Sequence, residues 1–277
     1  MQCRGFQYEV GKEYDMDGEI KCCNRGFHAC KSPLEVWDYY DMLNSRYAEV
    51  EQSGKIDEGE KSTKVCSSHI KIKAELKLAD IINIGVEWLK DITSPFKVKT
   101  DGVLNDNGDK KKQIGSSGDS AQIGSSGDYA KIGSSGYSAQ IGSSGGYAQI
   151  GSSGDSAQIG SSGDSAKIGS SGDSAQIGSS GYSAQIGSSG DSAQIGSSGD
   201  SAQIDSTGED SVIMCAGNKS KAKAKVGSWI TLAEWEWNDK KNRNVPVCVK
   251  IEYVDGENIK ADTWYQLKNG KFVEVSE

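Results

Sequence analysis

From residue 114 onward the apolar positions fall on a strict period of nine. Isoleucine stands at Ile114, Ile123, Ile132, Ile141, Ile150, Ile159, Ile168, Ile177, Ile186, Ile195 and Ile204, and Ile213 keeps the phase after the surrounding motif has decayed. The unit reads Ile-Gly-Ser-Ser-Gly-Asp-Ser-Ala-Gln, as in Ile150 to Gln158, and residues 114–203 hold ten complete copies. A fixed short period marks a stack of identical units rather than a globule. Two glycines and three serines per unit argue against helix, because Gly costs about 1 kcal/mol there and Ser favours caps and turns. Ser156-Ala157-Gln158-Ile159 instead alternates small or apolar with polar, a strand pattern with Ala and Ile facing inward. The Ser-Ser-Gly stretch supplies the turn, with Gly free to take positive φ. One unit per coil predicts a narrow parallel β-solenoid of nine-residue coils, a rod roughly 50 Å long at about 4.8 Å per coil.

Such a rod is thin. One Ile contributes about 2–3 kcal/mol on burial, against about 1–2 kcal/mol per residue of backbone entropy. Backbone ladders and stacked Ser and Gln hydrogen bonds must therefore contribute, and the rod ends need protection. The Gln row of Gln113, Gln122, Gln140 and Gln149 is interrupted by Lys131 and Lys167.

The flanks follow other periods. Ser32-Pro33-Leu34-Glu35 reads as a helix start, with Ser32 as N-cap and Glu35 closing a capping box, continuing to about residue 43. Tyr47–Val50 and Ser68–Leu76 alternate as strands, and Ala79–Leu89 reads as a second helix. Asp101–Lys112 is polar and reads as linker or first irregular coil. Beyond the repeat, Trp229–Trp237 and Val245–Tyr253 alternate, and Asn269-Gly270 marks a hairpin between Trp264–Leu267 and Phe272–Val275. The chain thus divides into an α/β N-terminal capping domain (1–105), a solenoid (106–212) and a C-terminal antiparallel β cap (213–277). The fold class is mainly β.

Composition narrows the function. The 277 residues carry a formal charge of −8 and seven cysteines. An odd, irregularly spaced cysteine set reads as reduced thiols in a cytoplasmic protein. No run reaches the roughly 20 apolar residues that span a bilayer, so no membrane association is expected. The acidic balance disfavours direct nucleic-acid binding. The lysine run Lys219, Lys221, Lys223 and Lys225 near Trp229 reads as a solvated strand face. Calcium is not expected either, because Ala157 stands where the calcium-binding nonapeptide places its Asp.

Two groups of residues invite chemistry. Asp119, Asp128, Asp155, Asp164, Asp173, Asp191 and Asp200 share one slot, expected to stack along one edge, with Tyr137, Gly146 and Tyr182 breaking the row. Against Lys131 and Lys167, the ten repeats net about −5. Solvated acidic turns that keep the rod soluble are the plain reading; an acidic decoy for a phosphate-binding groove is the sharper one. Cys23, His28, Cys30, Cys66 and His69 hold the only two histidines beside cysteines and could ligate zinc, although no spacing is a standard finger. No cofactor is otherwise implied, and no catalytic residue stands out.

The boxes Arg4-Gly5-Phe6-Gln7-Tyr8-Glu9-Val10-Gly11-Lys12, Gly26-Phe27-His28-Ala29-Cys30 and Trp37-Asp38-Tyr39-Tyr40 resemble an uncharacterised family of bacteria and their phages. The C-terminal stretches Lys221–Trp229, Asp255-Gly256-Glu257 and Ile259–Tyr265 extend the resemblance. The resemblance implies this architecture and a phage or prophage setting; it assigns no activity. Three functions follow as expectations. The first is a non-enzymatic structural or interaction protein whose rod spaces two end domains for an unknown protein partner. The others are a phage-associated inhibitor acting through acidic mimicry and a zinc-dependent binder or enzyme.

Overall fold

The computed structural model describes residues 1–3, 5–58, 63–92, 103–106 and 113–276. Most of the expected linker Asp101–Lys112, and Arg4, lie outside these residues.

The repeat forms a parallel β-solenoid, but each coil takes two nonapeptides rather than one. Lys131 pairs with Gln113 and with Gln149, eighteen residues away on either side, and Ile132 with Ile114 and Ile150. Alternate repeats therefore build two different sheets. One runs through Gln113–Ser116, Lys131–Ser134, Gln149–Ser152, Lys167–Ser170, Gln185–Ser188, Gln203–Ser206 and Lys221–Lys223; we call it the first sheet. The second runs through Val103–Asp106, Gln122–Ser125, Gln140–Ser143, Gln158–Ser161, Gln176–Ser179, Gln194–Ser197, Val212–Cys215 and the start of Trp229–Asn238. The physical reason is closure. A nine-residue coil has one strand and no opposing sheet for its Ile to meet, whereas an eighteen-residue coil places two strands face to face with both isoleucines between them. The rod is correspondingly shorter than expected, about 34 Å for seven steps of the second sheet.

Inside lie the isoleucines, the alanines and the first serine of each Ser-Ser pair, all buried. Stacked serine bonds do not form along this column. The Oγ atoms of Ser143, Ser152, Ser161, Ser170, Ser179, Ser188 and Ser197 are buried without a partner, because identical residues one coil apart sit about 4.8 Å from each other, beyond hydrogen-bond reach. Coil-to-coil cohesion comes from the backbone, and it continues through the turns. Ser153 N donates to Ser134 O at 2.9 Å, Ser156 N to Asp173 O at 2.8 Å and Gln158 N to Ala139 O at 2.8 Å.

The turns also depart from expectation. Positive φ falls on serine, not glycine: Ser156, Ser165, Ser174, Ser183, Ser192 and Ser201 lie between 54° and 58°. The second glycine of the unit serves close approach instead. A Cβ on Gly172 would stand 2.1 Å from the carbonyl oxygen of Gly154, and on Gly154 1.8 Å from that of Gly136.

Both sheets end in antiparallel hairpins. Trp229–Asn238 pairs with Arg243–Tyr253, and Tyr265–Lys268 joins Ala222 and then Lys271–Glu274. Val254, Ile259, Tyr265 and Leu267 complete the rod's hydrophobic core, so the C-terminal unit closes that end. The Asn269-Gly270 turn has both φ values positive, 51° and 65°, as a two-residue hairpin loop requires.

The described part of the N-terminal unit lies along the rod. Its sheet centres on Lys64–Leu76, flanked by Tyr47–Glu58 on one side and by Glu13–Asp15 and Phe27–Cys30 on the other. The helix Leu78–Ile92 follows and lies along the outer side of the first sheet, against four successive strands. The expected helix at Ser32 is only one short 3-10 segment, Pro33–Asp38. Ser32 makes no capping bond, and Glu35 is drawn away to accept from the backbone N–H and hydroxyl of Thr63.

Candidate functional site

The solenoid presents two outer faces of nearly identical sequence, and they have opposite fates. On each strand the Gln and the following Gly point outward while Ile and Ser point in. Along the first sheet the glycines form a track that receives the N-terminal unit. A Cβ on Gly133 would meet Leu89 at 2.9 Å, on Gly169 Ile82 at 2.7 Å and on Gly187 Leu78 at 2.5 Å. Val86 lies over Gly151, at 3.4 Å from its position. The helix from Leu78 to Leu89 rises about 16 Å, and the glycines from 187 to 133 span about 14 Å, so one apolar stripe can serve four coils.

The polar contacts are specific to this face. Gln149 donates to Asp38 Oδ1 and Gln185 to Asp41 Oδ2, both at 2.6 Å. Lys131 approaches Glu35 at 3.8 Å and Asp38 at 3.9 Å, and Lys167 donates to the Trp37 carbonyl. Burial pushes the Lys167 amine below its usual range, opposed by Asp38 and Asp41. Both lysines that interrupt the Gln row therefore belong to the covered face. The row on the second sheet is unbroken.

Among the described residues nothing covers that second face. Gln122, Gln140, Gln158, Gln176 and Gln194 are exposed, and a Cβ on Gly160, Gly178 or Gly196 would meet nothing within 4 Å. The result is an open trough of about 1100 Å³ that ends at Asp210, Val212 and Met214. Its columns continue onto the hairpin, where Trp229, Ile251 and Tyr253 are also exposed and the Trp229 and Tyr253 rings lie 5.0 Å apart. The period alone did not mark this face, because it does not separate odd from even repeats.

The acidic row divides in two. Stacking every eighteen residues puts Asp119, Asp155, Asp173 and Asp191 on one edge and Asp128, Asp164 and Asp200 on the opposite edge. These carboxylates tie coils together: Asp155 Oδ1 accepts from Asp173 N at 3.0 Å, Asp173 Oδ1 from Asp191 N at 2.9 Å and Asp191 Oδ1 from Glu209 N at 2.7 Å. Across the rod Asp128, Asp164 and Asp200 accept from Gly146, Tyr182 and Asn218 in the same way. Tyr129 and Tyr147 stack at 5.0 Å with planes 6° apart.

Of the Cys/His set, Cys23, His28 and Cys66 are neighbours, with His28 opposite Cys66 across the strands. His69 Nδ1 lies 2.8 Å from Asp15, while His28 Nε2 accepts from the Cys23 backbone at 3.1 Å. Cys66 donates to Arg25 O at 3.1 Å. Among the described residues no three His, Cys, Asp or Glu side chains converge as a metal cage. Burial pushes the thiols of Cys30 and Cys66 each up to about 11, and all seven cysteines are unbridged.

Two lysines of the run are paired with carboxylates and a third lies over a ring. Lys223 pairs with Asp205 at 3.1 Å, Lys225 with Asp262 at 2.7 Å, and Lys221 lies 4.6 Å over the Trp264 ring. No helix among the described residues is long and apolar enough to cross a membrane.

Residues 1–84 match a family model described as a domain of unknown function, DUF7666. The match covers the N-terminal sheet and the first half of its helix and stops short of the solenoid. No curated protein and no solved structure matches the chain.

Proposed function

We propose that the protein is a non-enzymatic interaction scaffold, a rigid β-solenoid that carries its N-terminal unit on one sheet and offers the other sheet to a protein partner. One observation carries this reading: two tracks built from the same Gln-Ile-Gly-Ser strands differ in that one is covered and one is bare. The rod works as a base with two sides rather than as a spacer between two ends. The resemblance to a bacterial and phage family directs the partner search to bacterial cytoplasm.

Two further observations favour this over the alternatives. Six of the seven repeat carboxylates are engaged in coil-to-coil bonding, and all seven along about 22 Å make a charge density below the one per roughly 1.7 Å of duplex DNA. Thiols held protonated by burial are the reverse of an activated nucleophile. The test is a photo-crosslinking side chain placed at Gln176 on the bare face, at Asp173 on an edge, and at neither. Adducts concentrated at position 176 are expected. An equal yield at both positions, or none at either, contradicts the scaffold reading.

A further inference from the structure

Resting on the reading of the bare sheet as an interaction surface, we propose that its occupant is a second copy of this chain, packed sheet to sheet with both rods pointing the same way. The face consists of two parallel columns, an exposed Gln ridge and, two residues along each strand, an uncovered Gly groove. A two-fold axis parallel to the rod and midway between the columns sets each ridge over the other copy's groove. Both surfaces step by about 4.8 Å, so the match repeats at every coil without drift.

A helix lacks that register, since its four-residue steps of about 6 Å slip against the coils. The helix on the covered face reaches from the strand Gln113–Ser116 to Gly187 and is supported by polar contacts from Lys131, Lys167, Gln149 and Gln185 to the N-terminal unit. The bare face has no lysine for such pinning. It runs on through Val212–Cys215 to the hairpin.

The C-terminal part of the face is self-complementary in the same arrangement. The Gln column continues as Val212, Trp229 and Tyr253, and the Gly column as Met214, Thr231 and Ile251. The two-fold axis sets Val212 against Met214 and Tyr253 against Ile251, all between 43% and 55% exposed in the single chain. No charged side chain stands in either column, although the chain carries −8 overall. A chain of that charge can approach its own copy most closely across such a neutral face.

Size and charge set the strength. Eight strands four residues wide give a face of roughly 500 Å² per copy, or about 1,000 Å² in total, the lower limit for a specific interface. The dimer is therefore weak and concentration-dependent. Its rims are acidic on both copies, with Asp155, Asp173 and Asp191 along one and Asp164 and Asp200 along the other, so salt that screens them tightens the association.

Sedimentation equilibrium of the full chain, from low micromolar to near-millimolar concentration and at low and high salt, tests this. The wild type is expected to dimerise, with a dissociation constant that falls severalfold as salt rises. Gly160→Arg puts a charge into the open groove and is expected to weaken the dimer about tenfold or more, a loss of about 1.4 kcal/mol, while leaving the melting temperature of the dilute monomer unchanged. Gln176→Glu, a second variant of the same face, should weaken it in the same direction. A wild type that stays monomeric throughout, or a dimer that both variants retain, overturns the proposal. If the monomer still collects adducts of other proteins at position 176, the second copy is excluded and the scaffold stands; if no adducts form there, both readings fall.

Discussion

Within each repeat, residue types that look interchangeable do different work. The second glycine is required by packing, because any Cβ there runs into the carbonyl of the preceding coil. Gly172→Ala should therefore destabilise the rod by about 1–3 kcal/mol or more in urea unfolding, the range for overpacking. The first serine works the other way. Its buried hydroxyl lacks a partner at Ser170, so Ser170→Ala should be neutral or stabilising by up to about 1 kcal/mol; a loss larger than that would contradict the account. The chain itself replaces this serine near the C-terminal end, where Cys215 and then Leu232 take the slot, both buried. Sequence reasoning reached the turn but exchanged the roles, since nothing in Gly-Asp-Ser says which residue bends and which one touches its neighbour.

Lys167 offers a titration at the same scale. Burial lowers its folded pKa below the unfolded value near 10.5, so the folded state disfavours its charge at neutral pH. That cost is full below the lowered pKa and disappears as pH rises through it toward the unfolded value. Lys167→Gln copies the residue already found at Gln149 and Gln185. Its melting temperature should match or exceed wild type at pH 7, and the advantage should shrink as pH rises toward the unfolded lysine pKa. An advantage that grows with pH would mean the amine is not desolvated.

Among the elements, the helix and the two sheets decide what the molecule can do. Leu78–Ile92 was legible from its apolar spacing, as were the long hairpin strands and the Asn269-Gly270 turn. Its destination was not, because both glycine tracks carry the same sequence. The distinguishing signal lay in some departures from the repeat: Lys131 and Lys167 are thirty-six residues apart and Tyr129 and Tyr147 eighteen, both multiples of twice the motif, although Tyr137 and Tyr182, forty-five apart, break that pattern. The 3-10 segment at Pro33–Asp38 was misjudged because Glu35 has a partner, Thr63, that is remote in sequence. Gly169→Val and Gly178→Val separate the two faces. The first forces Ile82 away and should cost about 1–3 kcal/mol; the second enters open space and should stay within about 0.5 kcal/mol of wild type. Equal effects on thermal unfolding would contradict the asymmetry.

For the whole molecule, closure and stacking set the limits. The solenoid's strands would end in unpaired edges at the C-terminal side without the two hairpins, and Val254, Ile259 and Leu267 would leave the last coils' core open. A chain truncated after residue 242 should aggregate at concentrations where the full chain stays dispersed, by edge pairing, as light scattering would show. The nine-residue period, the parallel stack and the need for a C-terminal closure were legible because they follow from repetition and burial. The two-faced cross-section was not, since pairing at nine or at eighteen aligns the same residue types.

The coil of two repeats underlies both faces, and disulfide trapping tests it most directly. In a background without the native cysteines, Asp155→Cys is paired either with Asp173→Cys or with Asp164→Cys and oxidised mildly. In-register neighbours about 4.8 Å apart fall within the Cα range of a disulfide. The account predicts that the pair eighteen residues apart links rapidly and the pair nine apart, on opposite edges, does not. Rapid linkage of Cys at 155 and 164, with none between 155 and 173, would restore the nine-residue coil and remove the basis for a bare second face.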